Sequence, residues 1–170
     1  MLFRSEASRD LFAMDTYMTV TAYGKGATEA VDQAADEISR LDQLLSTGNE
    51  DSEIYKINQS GDGILSEETA YLVERSLDLY EATDGAFDIA IYPVMKVWGF
   101  TDDNFRVPDA DELKDLLTLT DASDISYDKE TSQIVFKKDG MQIDFGGIAK
   151  GYTSARIMDI FRACGIKSGL

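Results

Sequence analysis

The chain has 170 residues, 44% of them hydrophobic, which is enough for one globular domain with a core and too apolar for a disordered chain. Thirty-two acidic residues against 16 basic ones give a net charge of −16; such a chain repels nucleic acid and anionic membranes, and holds an anionic ligand more easily through a bridging divalent cation. There is no histidine, which excludes imidazole catalysis and a His-ligated metal, and the one cysteine, Cys164, cannot form an internal disulfide.

Arg9–Tyr23 is rich in β-branched and aromatic residues and reads as one long first strand, with a bend or bulge at Met14-Asp15-Thr16. Gly24 and Gly26 mark a turn. From Ala27 to Leu45 the apolar residues Ala27, Ala30, Val31, Ala34, Ile38, Leu41 and Leu45 recur at helical spacing, and the acids between them make a solvated face. Ser46–Gly63 is polar and Gly-rich and reads as a loop with one helical turn near Glu53–Asn58. Ser66 caps a second long helix, with Glu67 and Glu68 favourably placed against its dipole, and Thr83-Asp84-Gly85 ends it.

The next run, Ala86–Phe100, places Asp88 inside an apolar and aromatic stretch. Aspartate is rarely buried without a partner, so Asp88 reads either as the cap of a short helix or as a ligand contact. Trp98 and Phe100 read as core. Pro108-Asp109-Ala110-Asp111-Glu112 opens a further helix with an Asp-x-x-Glu capping box. Ile125–Tyr127 and Gln133–Lys137 read as a hairpin.

Met141–Cys164 is the stretch around which the rest is arranged. Met141, Ile143 and Phe145 alternate with Gln142 and Asp144 as in a strand. The chain then breaks at Gly146-Gly147, and Ile157, Ile160, Phe161 and Cys164 share one helix face, with Cys164 as core. A strand, a two-glycine turn and a helix start can present backbone N–H groups to a phosphate, with Lys150 nearby. The spacing matches neither a Walker loop nor a dinucleotide fingerprint, so a plain tight turn stays open as an alternative. Asp144, at the end of an apolar strand, is a carboxylate that could accept hydrogen bonds from a ring edge. The last residues, Gly165–Leu170, read as the start of another strand. No run of about 18 apolar residues is present and no signal peptide is visible, so this segment does not insert directly into a membrane. Leu2–Ser5 spell a translated sequencing adapter, and both ends read as truncated. The mixture of helices and strands predicts an α+β fold, a mainly antiparallel sheet packed with helices, in a single domain over 1–170.

Four segments together resemble one family. Gly85–Phe100 resembles its "DGAFDITVGPLVNLWGFG" segment, Ile143–Tyr152 its "VDLGGIAKGYA" segment, Ala13–Thr16 its "MGT" motif and Asp51–Asn58 its "DSEISRLN" segment. The family is the FAD:protein FMN transferases of the ApbE type, and the four motifs occur in its order over nearly the whole chain. The resemblance implies the ApbE-like flavin transferase fold, truncated on its C-terminal side. It implies an enzyme that moves the FMN half of FAD onto a threonine of a target flavoprotein, releasing AMP with Mg2+ assisting. Hydrolysis of FAD to FMN and AMP, or FAD binding without catalysis, are the alternatives. The implied FAD contacts are Met14, Ala86, Phe87, Asp88 and Asp144, and the implied metal ligand is the Gly147 carbonyl. Gly48 stands where some relatives carry an aromatic flavin contact. The family's remaining metal ligands, an Asp and a Thr, and its "H-x-x-D-P-x-T-G" segment have no counterpart here, so the chain is expected to be an incomplete catalyst. The resemblance also favours a membrane-anchored, extracytoplasmic setting for the parent.

Overall fold

The computed structural model describes residues 5–101 and 104–170, so the Leu2–Arg4 part of the adapter-like stretch lies outside the described residues. It divides into two compact units: residues up to Leu44 together with Ala149–Leu170, and Leu45–Ile148. The fold is α+β, and every strand pair among the described residues is antiparallel.

In the first unit, the long first strand proves to be two. Strand β1 (Glu6–Ala13) and β2 (Thr16–Tyr23) pair from Glu6↔Tyr23 to Ala13↔Thr16. Met14 and Asp15, at φ 52° and 53°, form the loop between them. Two consecutive residues at positive φ match a type I′ loop, whose twist suits a hairpin; the broken alternation at Met14-Asp15-Thr16 is a reversal, not a bulge. Helix α1 (Ala27–Leu45) spans the predicted limits and buries its small face: Ala27, Ala30, Val31, Ala34 and Ile38 join Ala13, Val20 and Ala22 in one core. Ile166 and Phe161 complete that core, Phe161 from the C-terminal helix described below, with Ile157 and Cys164 packed against it. Arg9 pairs with Asp32, and Glu37 takes both Arg40 and Arg156.

The second unit contains helix α2 (Glu53–Ser60), capped by the Ser52 side chain on the Tyr55 N–H and ended by Gly61 at φ 78°. Strand β3 (Asp62–Ile64), inside what reads as a loop, is too short and polar to show alternation. Helix α3 (Glu67–Ala82) is capped by Ser66 and buries Thr69, Ala70, Leu72, Val73 and Ser76. Ile89–Ile91 makes a single 3₁₀ turn, followed by α4 (Tyr92–Val97) and α5 (Ala110–Leu117), the last capped by Asp109 on the Glu112 N–H. Strands β4 (Ile125–Asp128) and β5 (Gln133–Phe136) form the expected hairpin, and β5 is central in the order β3-β5-β4. Phe100 is 59% exposed, against its reading as core; it stacks on Trp98 and meets Phe105 edge to face.

One expectation for the central stretch needs correction, and two hold. Met141–Phe145 is buried at Met141, Ile143 and Phe145, yet it joins no sheet. The chain after the glycine turn forms α6 (Ala149–Ala163), and Ser168–Gly169 forms β6, which pairs with β2 in the order β1-β2-β6. No helix among the described residues is long and apolar enough to cross a membrane.

Candidate functional site

The second unit brings four of the sequence-predicted residues close together. Asp88, itself in extended conformation, follows the turn that ends α3, and its carboxylate makes two backbone contacts. Oδ1 accepts from the Ala90 N–H at 2.8 Å, and Oδ2 accepts from the Ala122 N–H at 3.1 Å. The first caps the 3₁₀ turn; the second ties that turn to residues 34 positions later. Beside it, Asp121 accepts from the Tyr80 hydroxyl at 2.7 Å and from the Ser123 N–H at 3.0 Å. Burial pushes the Asp88 carboxyl above the ordinary Asp value; the two backbone donors oppose this, and the nearby Asp121 charge adds to it. Asp121 moves the other way, held down first by the Ser123 hydroxyl and then by the Tyr80 hydroxyl.

The residue after Asp88 reaches the second motif. The Ile89 carbonyl accepts from the Asp144 N–H at 2.9 Å, so the Asp88 and Asp144 segments are joined by a backbone hydrogen bond. Asp144 then folds its own carboxylate onto the turn, where Oδ1 accepts from the Gly146 N–H at 2.7 Å. Neither Gly146 nor Gly147 has positive φ. Space beside each is taken instead by a side chain. A Cβ on Gly146 would lie 2.8 Å from the Asp144 Oδ1, and one on Gly147 would lie 2.9 Å from the Phe87 ring. The two-glycine turn is therefore filled by the protein's own Asp144 and Phe87, which differs from the reading that the glycines leave the backbone bare for a ligand.

Ala86 is exposed, while Phe87 and Asp88 are half-buried. Met14 belongs to the first unit. There its N–H donates to Asp42 Oδ1 at 2.8 Å, and its sulfur accepts from the Thr153 hydroxyl of α6 at 3.7 Å. Cys164 is half-buried, with its sulfur 3.7 Å from Gln33 Oε1.

Sequence reading missed Asn58, on the buried face of α2 with Ile54 and Ile57. Its carboxamide grips Ile143 from both sides: Nδ2 donates to the Ile143 carbonyl at 2.9 Å, and Oδ1 accepts from the Ile143 N–H at 2.7 Å. The available signal was a carboxamide at i+4 from one buried isoleucine and i+1 from another, which demands a partner for both of its polar ends.

A hard cation such as Mg2+ takes oxygen ligands in a near-octahedral set. The Gly147 carbonyl has the right chemistry for one of them, and no turn, loop or helix-cap hydrogen bond of the described residues ends on it. No group of three or more His, Cys, Asp or Glu among the described residues could hold a metal ion. These residues by themselves do not fit a complete Mg2+ site.

The description "ApbE family" fits residues 14–170. The FAD:protein FMN transferase of Treponema pallidum is 30% identical over 177 residues, covering 97% of this chain and 49% of that protein. That of Klebsiella pneumoniae is 29% identical, covering 78% of this chain and 43% of that protein. Among solved structures, the Thermotoga maritima ApbE protein superposes with a TM-score of 0.85 at 28% identity, covering 94% of this chain and 53% of that one. The Pseudomonas stutzeri flavinyl transferase ApbE, in its apo form, gives 0.85 at 26% identity, with 98% and 56% covered. The chain thus spans about half the length of the relatives it matches. With the family description reaching from Met14 to the last residue, and with that likeness in fold, the chain belongs to the ApbE family.

Proposed function

We propose that this chain forms part of a FAD:protein FMN transferase and supplies contacts to FAD. The reading is supported above all by the hydrogen bond from the Asp144 N–H to the Ile89 carbonyl, which joins the two segments most like the family's motifs. In this reading the FAD contacts are Met14, Ala86, Phe87, Asp88 and Asp144. The Asp144 carboxylate accepts from the Gly146 N–H, and in this reading it also serves as an acceptor for a ring or ribose edge of FAD. Phe87 offers a ring face beside Gly147.

The reaction is phosphoryl-type transfer. A threonine hydroxyl of the acceptor protein attacks the phosphorus on the FMN side of FAD. A new oxygen–phosphorus bond forms, the pyrophosphate bond breaks, AMP leaves with the bridging oxygen, and the hydroxyl proton is released. Catalysis of this kind rests mostly on positioning and charge neutralisation. Mg2+ dependence is part of the proposal: the cation would offset phosphate charge in a strongly acidic protein, with the Gly147 carbonyl as one ligand.

The test is incubation of the intact protein with FAD, Mg2+ and an acceptor protein carrying a reactive threonine. Flavin fluorescence that stays with the acceptor after denaturing electrophoresis, with a mass gain equal to FMN less one water, is the expected result. FMN and AMP formed equally with and without acceptor would identify a hydrolase instead. FAD bound and recovered intact would identify a binding protein.

A further inference from the structure

We propose that Asn58 is a positioning residue for the Asp144–Gly147 turn, its carboxamide serving as a one-residue substitute for a neighbouring β-strand. The inference deepens the FAD-site reading and rests on it only for its ligand-binding arm.

Met141–Phe145 is buried at Met141, Ile143 and Phe145 but lies in no helix or sheet, so its backbone groups need partners from elsewhere. Asn58 meets that need at Ile143 on both sides, as an adjacent strand would by exchanging N–H and C=O. Ile143 is fully buried and Asn58 is 7% exposed, so water cannot replace either bond. A third bond adds to the grip: the Gln142 side-chain amide donates to the Asn58 backbone carbonyl at 3.2 Å.

The consequence falls on the next residue. Asp144 is held by its own N–H to the Ile89 carbonyl and by the anchoring of Ile143 immediately before it. Two fixed points, one on each of two consecutive residues, leave little freedom in the direction of the Asp144 side chain. That side chain carries the Gly146 N–H, so an error at Ile143 passes into the glycine turn. Aspartate at position 58 would keep the acceptor and lose the donor. Alanine would lose both and leave a buried N–H and C=O unpaired.

The experiment measures amide hydrogen exchange and FAD binding on the full chain for the wild type, Asn58→Ala, Asn58→Asp and Val73→Ala. Val73 is fully buried in α3 and supplies a general destabilisation of the same unit. The proposal expects exchange at Ile143, Asp144 and Gly146 to rise about 10-fold more in Asn58→Ala than in Val73→Ala. It expects FAD affinity to fall by about 10-fold or more at unchanged stoichiometry, with Asn58→Asp between wild type and alanine. Uniformly faster exchange in both alanine variants, with equal FAD affinity, would overturn it and leave Asn58 as ordinary packing. If Asn58→Ala does not fold, a folded Asn58→Asp with wild-type exchange at Ile143 and wild-type FAD affinity overturns it equally. A wild type that binds no FAD defeats the FAD-site reading, and the exchange arm then decides the role of Asn58 alone.

Discussion

Two tight turns in this chain solve the same problem in opposite ways. At Met14-Asp15 the backbone reverses by adopting positive φ at two residues that are not glycine, which is uncommon and costs conformational energy. Eight register pairs in the β1–β2 ladder hold it there, and Asp42 accepts the Met14 N–H. At Gly146-Gly147 the residues are glycine, yet neither uses positive φ. The space is occupied by Asp144 and Phe87, and the approach is pinned by Asn58 and the Ile89 carbonyl. One turn is a property of backbone conformation. The other is a property of side chains gathered from sequence-distant segments, so it should be far less tolerant of change.

The largest effect should come from removing the support of the second turn at its far end. Asp88→Ala strips the cap from the 3₁₀ turn and leaves the N–H of Ala122, 1% exposed, unpaired. The expected loss is about 2–4 kcal/mol in urea unfolding, with weaker FAD binding. A loss near that of a surface substitution would mean that this turn does not depend on remote side chains. Next comes Gly147→Ala, which forces the Phe87 ring to move and should cost about 1–3 kcal/mol as an overpacking change. Full tolerance of alanine there would break the comparison outright. Smaller again is Asp42→Ala, which removes the acceptor of the Met14 N–H and should lower stability by about 1 kcal/mol. Asp15→Gly should raise stability by about 0.5–1 kcal/mol, because glycine accepts positive φ without the side-chain penalty. Thermal melts of the last two variants would show opposite signs at one turn.

The smallest expected effect is in pH dependence. Asp88 is shifted up by burial, so its contribution to stability is present below the unfolded pKa and is lost as pH rises through the folded one. Asp121 is shifted down by its hydroxyl partners, so its contribution is present above the unfolded pKa and is lost as pH falls through the folded one. Unfolding midpoints measured between about pH 3 and pH 7 should therefore show the advantage of wild type over Asp88→Asn growing in acid. The advantage over Asp121→Asn should shrink in acid. Parallel profiles for the two variants would show that burial and hydrogen bonding do not separate these carboxylates.

The legible parts of the chain were those whose information is local. Helix α1 was readable to its ends because seven apolar positions repeat at one period, and Ser66 and Asp109 announced their helices because a cap bonds residues three positions away. The β4–β5 hairpin was readable for a similar reason. The hairpin at Met14-Asp15 was not, because methionine and aspartate carry no strong preference for the conformation they adopt there. Strand β3 was hidden because its three residues, Asp62–Ile64, are strand only through their pairing with β5.

The candidate site divides along the same line. The residue types and spacing in Gly85–Phe100 and Ile143–Tyr152 determined by themselves that two odd aspartates and a glycine pair belong to one family pattern. Local chemistry also implied that Asp88 could cap a turn. Only the tertiary structure decided that Asp88 reaches Ala122, that Asp144 hangs from the Ile89 carbonyl, that Phe87 fills the space over Gly147, and that Asn58 replaces a strand 85 residues away. A hydrogen bond between distant residues depends on where the whole chain carries them, and nothing in the neighbouring residues encodes that separation.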